Sequence, residues 1–503
     1  MEFEKILENI DNQGTRGYYL IEALLLGLLK IHLQAQDKPL KLQINTPDYG
    51  FDAFAPEGFD EFDGPTFIQI TLSSHPKKIL LDIEKMQKNF PIMENTSVLI
   101  ITTKKPNQDI LKNHITPHSK PGSPFHIWGP EKISSLIEKY PEQANKLIEN
   151  IFTIRLETAF SKQQENWKDE RAEIVERIKS EYKSGQFSLL LGAGVSSSAG
   201  LPDWNTLLNS LFVALLTSEL GKDKTIDSTE ISSIVKRLRE VDGPSALMSA
   251  RYIRKGMSTN GSSEQTLFVN TVTKQLYELR DKRKNIESKL IKSIASMCTP
   301  GRTGAKVKSV ITYNFDDLLE RQLGNREIQF RSIFEEIEIP NTDELPIYHV
   351  HGFLPEDRSN YSNLDRSTLV FSEEGYHKIY NEPYHWSNLI QLNSLKESTC
   401  VMIGLSMSDP NLRRLLEIAA RSIEKPKHYA FMQRINIEYF SKHNDKKIIN
   451  APISTIKTFL DRHHSLNEEV LKELGVNIIW YEEYDDIPQL LEQISKRQTE
   501  ATQ

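Results

Sequence analysis

The residues 187–204, FSLLLGAGVSSSAGLPDW, constrain the fold more than any other part of this chain. An apolar run from Phe187 to Leu191 breaks into Gly192-Ala193-Gly194, then small residues, then Gly200-Leu201-Pro202-Asp203. A short apolar run of this kind suits a buried parallel strand. A Gly-x-Gly turn after such a strand lets backbone approach a pyrophosphate, and the following helix start favours negative charge. The third glycine of a dehydrogenase-type G-x-G-x-x-G would fall at Ser197, so that fingerprint is broken. No Gly-Lys-Ser/Thr follows, so the loop is not a P-loop either. On its own the loop leaves two readings open, a nucleotide site and a tight structural turn.

Three later segments repeat the theme of polar residues at the carboxyl end of an expected strand. Residues 307–320 read VKSVITYNFDDLLE, a strand running into Tyr313-Asn314-Phe315-Asp316. Residues 346–354 read PIYHVHGFL, a strand running into His349-Val350-His351-Gly352. Residues 400–416 read CVMIGLSMSDPNLRRLL, a strand followed by Gly404-Leu405-Ser406 and then by Asp409-Pro410-Asn411 opening a helix. In open α/β sheets this edge is where ligands bind.

In this order the set GAGVS, GLPDW, TYNFD, HVHG and GLSMSDPNL resembles the sirtuin (silent information regulator) family, specifically its bacterial sirtuin-like branch found in anti-phage defence effectors. The resemblance covers roughly 186–481. It implies an α/β fold, a Rossmann-like domain with an NAD site and a helical insertion. It implies Asn314 and His351 as the catalytic pair, and Gly192, Ala193, Gly194 and Ser196 as the NAD loop. By the same resemblance Asp203 lies in the segment over the nicotinamide ribose, and Asp316 is the acid two residues past the Asn. Gly404 and Ser406 belong to the late, adenosine-side strand. NAD+ is then the substrate, consumed to nicotinamide and ADP-ribose, and the implied role is NAD+ depletion during infection.

Length and composition frame this. A chain of 503 residues exceeds one core and suggests two or three domains. With 38% hydrophobic and 26% charged residues it reads as soluble and globular. Its net charge, 62 minus 69, is −7, which does not suit a generic nucleic-acid binder, though a local basic face stays open. Cys298 and Cys400 are the only cysteines, so no disulfide framework is indicated and a reducing cytoplasm is the simplest compartment. Two cysteines also exclude, within one chain, the four-Cys zinc module of the zinc-bearing sirtuin deacylases, so neither zinc nor another metal is expected. The most apolar window, 21–31, carries Glu22 and Lys30 and is too short to span a membrane. The start MEFEKILE is acidic and unlike a signal peptide.

Residues 1–150 are expected to form a separate, smaller α/β domain, with a helix at 20–33 and strands at 41–44, 51–54, 67–72 and 97–102. Its Gly50-Phe51-Asp52 and Phe67-Ile68-Gln69-Ile70-Thr71, with His126-Ile127-Trp128 and a helix at 133–140, loosely resemble a PD-(D/E)xK restriction-endonuclease-like core. Nuclease chemistry there would need two ligands for a divalent metal and a lysine near the attacked phosphate. Asp52 and Gln69 stand at the ligand positions, but Thr71 stands at the lysine position, and Lys77 and Lys78 lie further along. A degenerate domain serving assembly, or the binding of a partner or nucleic acid, is therefore expected. Residues 151–185 read as a charged linker helix and 186–503 as the catalytic domain, with the helical insertion at about 219–300. The basic clusters Lys236-Arg237 with Arg239, and 280–284, read as solvated helix faces rather than phosphate sites. Strands at 428–432 and Val476–Tyr481 are expected to finish the sheet, with a closing helix at 487–494.

The residue types at Asn314 and His351 suit N-glycosidic cleavage. Nicotinamide leaves a pyridinium as a neutral base, so no general acid is required. The reaction needs stabilisation of an oxocarbenium-like ribose and a placed nucleophile, as in glycoside hydrolysis. An Asn amide both donates and accepts, and a neutral His accepts a proton. Taken singly, an Asn after a strand is a turn residue or cap and a His beside Gly is structural. His349, two residues before His351, would share its face on a strand and could line the cleft, and is given at most a supporting role. The competing functions are an NAD-dependent protein deacylase, and a nucleic-acid-binding or nuclease component whose sirtuin-like domain only senses a nucleotide. A constitutive hydrolase would kill its host, so a homo-oligomer held in check with a second defence protein from the same operon is expected.

Overall fold

The computed structural model describes residues 14–42, 51–62, 64–72, 79, 96–105, 125–151, 153, 155, 166–220, 233, 237, 250, 253, 264–301, 304–336, 339–367, 369–371, 373–443 and 446–496. Lys77, Lys78, Lys236 and Arg239 lie outside them. Contacts divide the chain into two units. The first comprises Met1–Ile174, Glu417–Pro426 and Arg434–Asn477, the second Val175–Leu416, Lys427–Gln433 and Ile478–Gln503. The sequence reading assigns all of 186–503 to the catalytic domain, whereas contacts group 434–477 with the N-terminal residues.

The first unit holds a five-stranded mixed sheet in the order β1 (Lys41–Leu42), β2 (Ala53–Ala55), β3 (Thr66–Thr71), β4 (Ser97–Thr102), β5 (Phe125–Trp128). β1–β2 and β2–β3 pair antiparallel, β3–β4 and β4–β5 parallel. Helix Thr15–Gln34 buries Tyr18, Ile21, Leu24, Leu25, Leu28 and Leu29 against Ile68, Ile70, Leu99 and Ile101 of the sheet. The spacing of those positions is that of one helix face. The opposite sheet face carries Phe51, Ile79, Val98 and Ile100. Helix Ile453–Glu473 also belongs to this unit, where Arg155 holds Glu469 (3.0 Å) and Glu473 (2.8 Å).

Asp52 and Gln69 are both buried. The Ile70 amide donates to Asp52 Oδ2 at 2.6 Å, and Lys425 Nζ stands 3.5 Å from Asp52 Oδ1. Gln69 Nε2 donates to the Ile70 carbonyl at 2.9 Å. The Asp52 carboxylate is thus occupied by an amide and an ammonium of its own unit.

The second unit is built on a seven-stranded sheet. Its strands are β6 (Phe187–Leu191), β7 (Val307–Thr312), β8 (Phe330–Ile333), β9 (Leu345–His349), β10 (Thr399–Ile403) and β11 (His428–Gln433), with β14 (Val476–Tyr481) at one edge. A short antiparallel pair, β12 (Lys442–His443) and β13 (Lys446–Lys447), lies between the last two in sequence. The sheet order is β14-β11-β10-β6-β7-β9-β8, and the pairs from β11 through β8 are parallel. β6 and β10 are buried along their whole length, as two-sided burial of near-continuous apolar runs requires. From β6 the chain turns to β7 on one side and later returns to β10 on the other. The strand order therefore reverses at the β6–β10 boundary, the position at which doubly wound sheets open a ligand crevice.

Within the expected linker, helix Trp167–Ser184 is described. Within the expected insertion, helices Glu264–Glu278 and Lys289–Cys298 are described. Helix Asp486–Ser495 closes the second unit and packs on Lys289–Cys298.

Candidate active site

Register brings the four sequence motifs to one edge. Ile403 pairs with Leu191, Leu191 with Thr312, and Thr312 with His349, so the last residues of β10, β6, β7 and β9 form one row. Gly404 and Gly192 come one residue beyond that row, and Asn314 and His351 two residues beyond it. Backbone bonds extend the pairing past the strand ends: Gly192 N–H to Ile403 O (2.9 Å), Tyr313 N–H to Leu191 O (2.9 Å) and Val350 N–H to Thr312 O (3.1 Å).

The floor is made by two loops in backbone contact. Gly194 N–H donates to Gly404 O at 2.9 Å. A Cβ on Gly194 would come within 2.7 Å of Gly404 Cα, and a Cβ on Gly404, whose φ is +70°, within 2.6 Å of Val195 N. These glycines are required first by the loop–loop contact. The Gly192, Gly194 and Val195 amides are all taken, the last by Gly192 O at 2.9 Å, and among the described residues only that of Ala193 in this stretch has no partner. The structure thus shows the tight-turn role of this loop, and close packing of the two loops shapes the crevice beside it.

The crevice is a cleft of about 960 Å³, at the upper end of the range of small-molecule sites. Nine of the ten residues singled out in the sequence line it: Ala193, Gly194, Ser196, Asp203, Asn314, Asp316, His351, Gly404 and Ser406. The tenth, Gly192, caps the short helix Ala193–Ser198, and its carbonyl accepts Asn314 Nδ2 at 3.0 Å. Asn314 is 9% exposed, and its backbone N–H is held by Thr312 Oγ1 at 3.1 Å. Ser196 donates to Asp316 Oδ2 at 2.5 Å, and the Leu318 amide to Asp316 Oδ1 at 3.2 Å. Burial pushes the Asp316 carboxyl up to about 6, against the lowering effect of those bonds. Asp203, at the exposed lip, caps helix Trp204–Leu220 by accepting the Thr206 amide at 2.7 Å. Ser406 and Ser408 hydroxyls meet at 2.6 Å.

His351 is 8% exposed and lies between two tyrosine rings, Tyr313 at 4.8 Å and Tyr376 at 5.6 Å, both edge-on. Burial pushes its pKa below the ordinary histidine value, with Asp409 opposing. Its imidazole is therefore neutral at pH 7 and able to accept a proton. His349 behaves differently. Strand β9 ends at His349, so the two-residue alternation that would place both rings on one face stops there. His349 is 1% exposed and outside the cleft. Its Nε2 pairs with Glu320 Oε1 at 2.6 Å and its Nδ1 meets the Asn314 carbonyl at 3.3 Å. It is a buried post under the Asn314 backbone, consistent with a supporting role.

Sequence reasoning did not single out Asp409, Tyr376, Tyr313 or Trp204 as site residues, and all line the cleft. Asp409 was visible only as a helix opener, a part it does play, since its Oδ1 accepts the Leu412 amide at 2.7 Å. The basic cluster at 280–284 has a structural use: Arg280 Nε donates to Ala199 O (3.0 Å) and Lys284 Nζ to Ser197 O (2.9 Å). Both bind carbonyls at the carboxyl end of the glycine-loop helix. Among the described residues no group of three His, Cys, Asp or Glu side chains is arranged to hold a metal, and no helix is long and apolar enough to cross a membrane.

A parallel doubly wound sheet whose crevice gathers Asn314, His351 and two glycine loops defines a Rossmann-like α/β domain, and residues 308–452 match the family model of the SIR2-like domain. That match takes in Asn314, Asp316, His351, Gly404 and Ser406. Among curated proteins, the chain is similar to the NAD(+) hydrolase ThsA of Enterococcus faecium, 21% identical over 334 residues, which cover 64% of this chain and 58% of that protein. It is also similar to the NAD(+) hydrolase ThsA of Acinetobacter baumannii (strain 532279), 21% identical over 340 residues, 64% of this chain and 56% of the relative. The chain thus spans less than two thirds of the length of either relative.

Proposed function

We propose that this protein is an NAD+ hydrolase that depletes cellular NAD+ in anti-phage defence. The observation that carries the reading is the register row, which sets Asn314 and a neutral, buried His351 on adjacent strand ends over one cleft. In the reaction, the bond from ribose C1′ to the nicotinamide nitrogen breaks and its electron pair neutralises the pyridinium. Water oxygen bonds to C1′, and the proton it sheds passes to His351. Asn314, anchored by Gly192 O, presents its amide oxygen to a ribose hydroxyl or the water. Asp316, held by Ser196, accepts from a further hydroxyl. The cleft runs on past Gly404 and Ser406 to Phe431, Tyr481 and Tyr484, an aromatic end suited to the adenosine half. The names of the two relatives support the same reading.

Control follows from the chemistry. An enzyme that destroys NAD+ must rest inactive. Moving the active form from about 1% to about 99% needs roughly 5.5 kcal/mol of differential binding, which assembly or a partner supplies more readily than a side chain. The proposed active species is therefore an oligomer, answering to a second defence protein or an infection cue.

The test is nicotinamide release by purified protein, alone and with its operon neighbour, without any acylated peptide. Asn314→Ala and His351→Ala are each expected to remove turnover, by at least about 10²-fold for the base, while remaining folded. Full activity in either variant refutes the mechanism. Turnover only in the presence of an acyl-lysine peptide moves the deacylase reading to first place.

A further inference from the structure

The cleft contains a carboxylate that the proposed chemistry has not used. Asp409 stands at the start of helix Pro410–Ala420, and both its oxygens are fixed. Oδ1 accepts the Leu412 amide at 2.7 Å, and Oδ2 accepts the Tyr376 hydroxyl at 2.5 Å. The same Oδ2 lies 3.7 Å from His351 Nε2. That nitrogen is enclosed and has no hydrogen-bond partner among the described residues. At 3.7 Å the two groups are not hydrogen-bonded. The gap is the kind that closes when a catalytic complex tightens. Among the described residues, the polar and charged groups facing His351 are Asp409, Tyr313 and Tyr376. Burial holds both phenols protonated, well above their ordinary values. Asp409 is the one that carries charge to the ring.

We infer that Asp409 is the positioning residue for His351, forming with Tyr376 a fixed acceptor that meets Nε2–H as the ring takes a proton on its other nitrogen. The inference rests on the proposed reading for its reaction. As the water oxygen bonds to C1′, Nδ1 receives the proton that the water loses. The resulting imidazolium shares its Nε2 proton with Asp409 Oδ2 in a charge-assisted hydrogen bond. Nδ1 later returns its proton to solvent. Tyr376 serves the arrangement twice, by orienting the carboxylate and by walling one side of the imidazole. The logic is that of a carboxylate holding a catalytic imidazole in one tautomer, reached here from a helix start rather than a neighbouring strand.

Two substitutions keep the helix cap and remove the charge, Asp409→Asn and Asp409→Ser, since Asn and Ser both cap well. The expected result is a fall in kcat for nicotinamide release of about 10²-fold or more, with KM for NAD+ within about threefold. A structural role alone would not move the second readout, the titration of His351 followed by NMR in full-length protein with isotope-labelled histidine. The signal is assigned by its loss in His351→Gln. Asp409 raises the His351 midpoint in the intact protein, so both variants are expected to lower it. An unshifted midpoint, or a lowered midpoint with wild-type kcat, overturns the inference. The titration needs no turnover. If the wild type releases no nicotinamide under any condition, the NAD+ hydrolase reading falls, while the midpoint still decides whether Asp409 and His351 are paired.

Discussion

Replacing Gly404 by alanine tests whether the cleft floor depends on contact between two loops. The perturbation has two parts. At φ +70° an L side chain is strained by about 1–2 kcal/mol. The added Cβ also falls 2.6 Å from Val195 N and 3.0 Å from two backbone atoms of Gly194. Backbone cannot rotate away as a side chain does, so the 192–195 loop must shift, at a cost of about 1–3 kcal/mol for overpacking. Gly304→Ala isolates the first part. Gly304 has φ +91°, yet a Cβ there meets nothing within 4 Å. Gly404→Ala is therefore expected to lose about 2–5 kcal/mol and Gly304→Ala only about 1–2 kcal/mol. Urea or thermal unfolding of both variants beside the parent measures the difference. The displaced loop carries Ser196 and the Gly192 carbonyl that anchors Asn314, so nicotinamide release should fall in Gly404→Ala and persist in Gly304→Ala. Equal destabilisation of the two variants would refute the argument that this glycine serves the loop contact.

Two further outcomes follow from buried groups. His428 on β11, whose Nδ1 accepts the Cys400 amide at 3.2 Å, is pushed down to about 3 by burial and then by Lys427. Because its folded value lies below the unfolded value near 6.5, the unfolded chain takes the proton first. Its contribution is complete above about pH 6.5 and lost as pH falls toward 3, amounting to about 2 kcal/mol between pH 7 and pH 5. His428→Asn, which keeps an acceptor for Cys400, should flatten the stability profile by that amount, and an unchanged slope in denaturation curves would count against it. In the first unit, the Ile70 amide and Lys425 engage Asp52, and Thr71 supplies no cation. Full-length protein with magnesium or manganese should leave plasmid DNA intact; cleavage that Asp52→Ala abolishes would show a working nuclease.

Much of the second unit was legible because its signals are local. Short, mainly apolar stretches leading toward Gly or Asn mark β6, β7 and β10 within a residue of their ends. The strand Val476–Tyr481 was read to the residue. The placement of 434–477 was not legible. Helix Ile453–Glu473 carries many charged residues along its length, and nothing in its pattern names the surface it packs on. Its tie to Arg155 spans more than three hundred positions of sequence, a contact that periodicity cannot report. Order along the chain does not report which early residues a late segment contacts.

The site shows the same limit at finer scale. That Asn314 and His351 would meet at one cleft was legible because each follows a strand, and strand ends in a parallel sheet share an edge. The surroundings of His351 were not, since Asp409 and Tyr376 reach it from positions far away in sequence. The pair His349 and His351 makes the point in two residues. Alternation along a strand predicts one face for both. The strand stops at His349, Val350 turns the chain, and one ring sinks to Glu320 while the other rises into the cleft. Equal residue types two positions apart thus acquire opposite duties. His349 has a carboxylate at hydrogen-bond distance and supports backbone, whereas His351 has one held just beyond that distance, and burial, against the pull of that carboxylate, keeps its imidazole neutral.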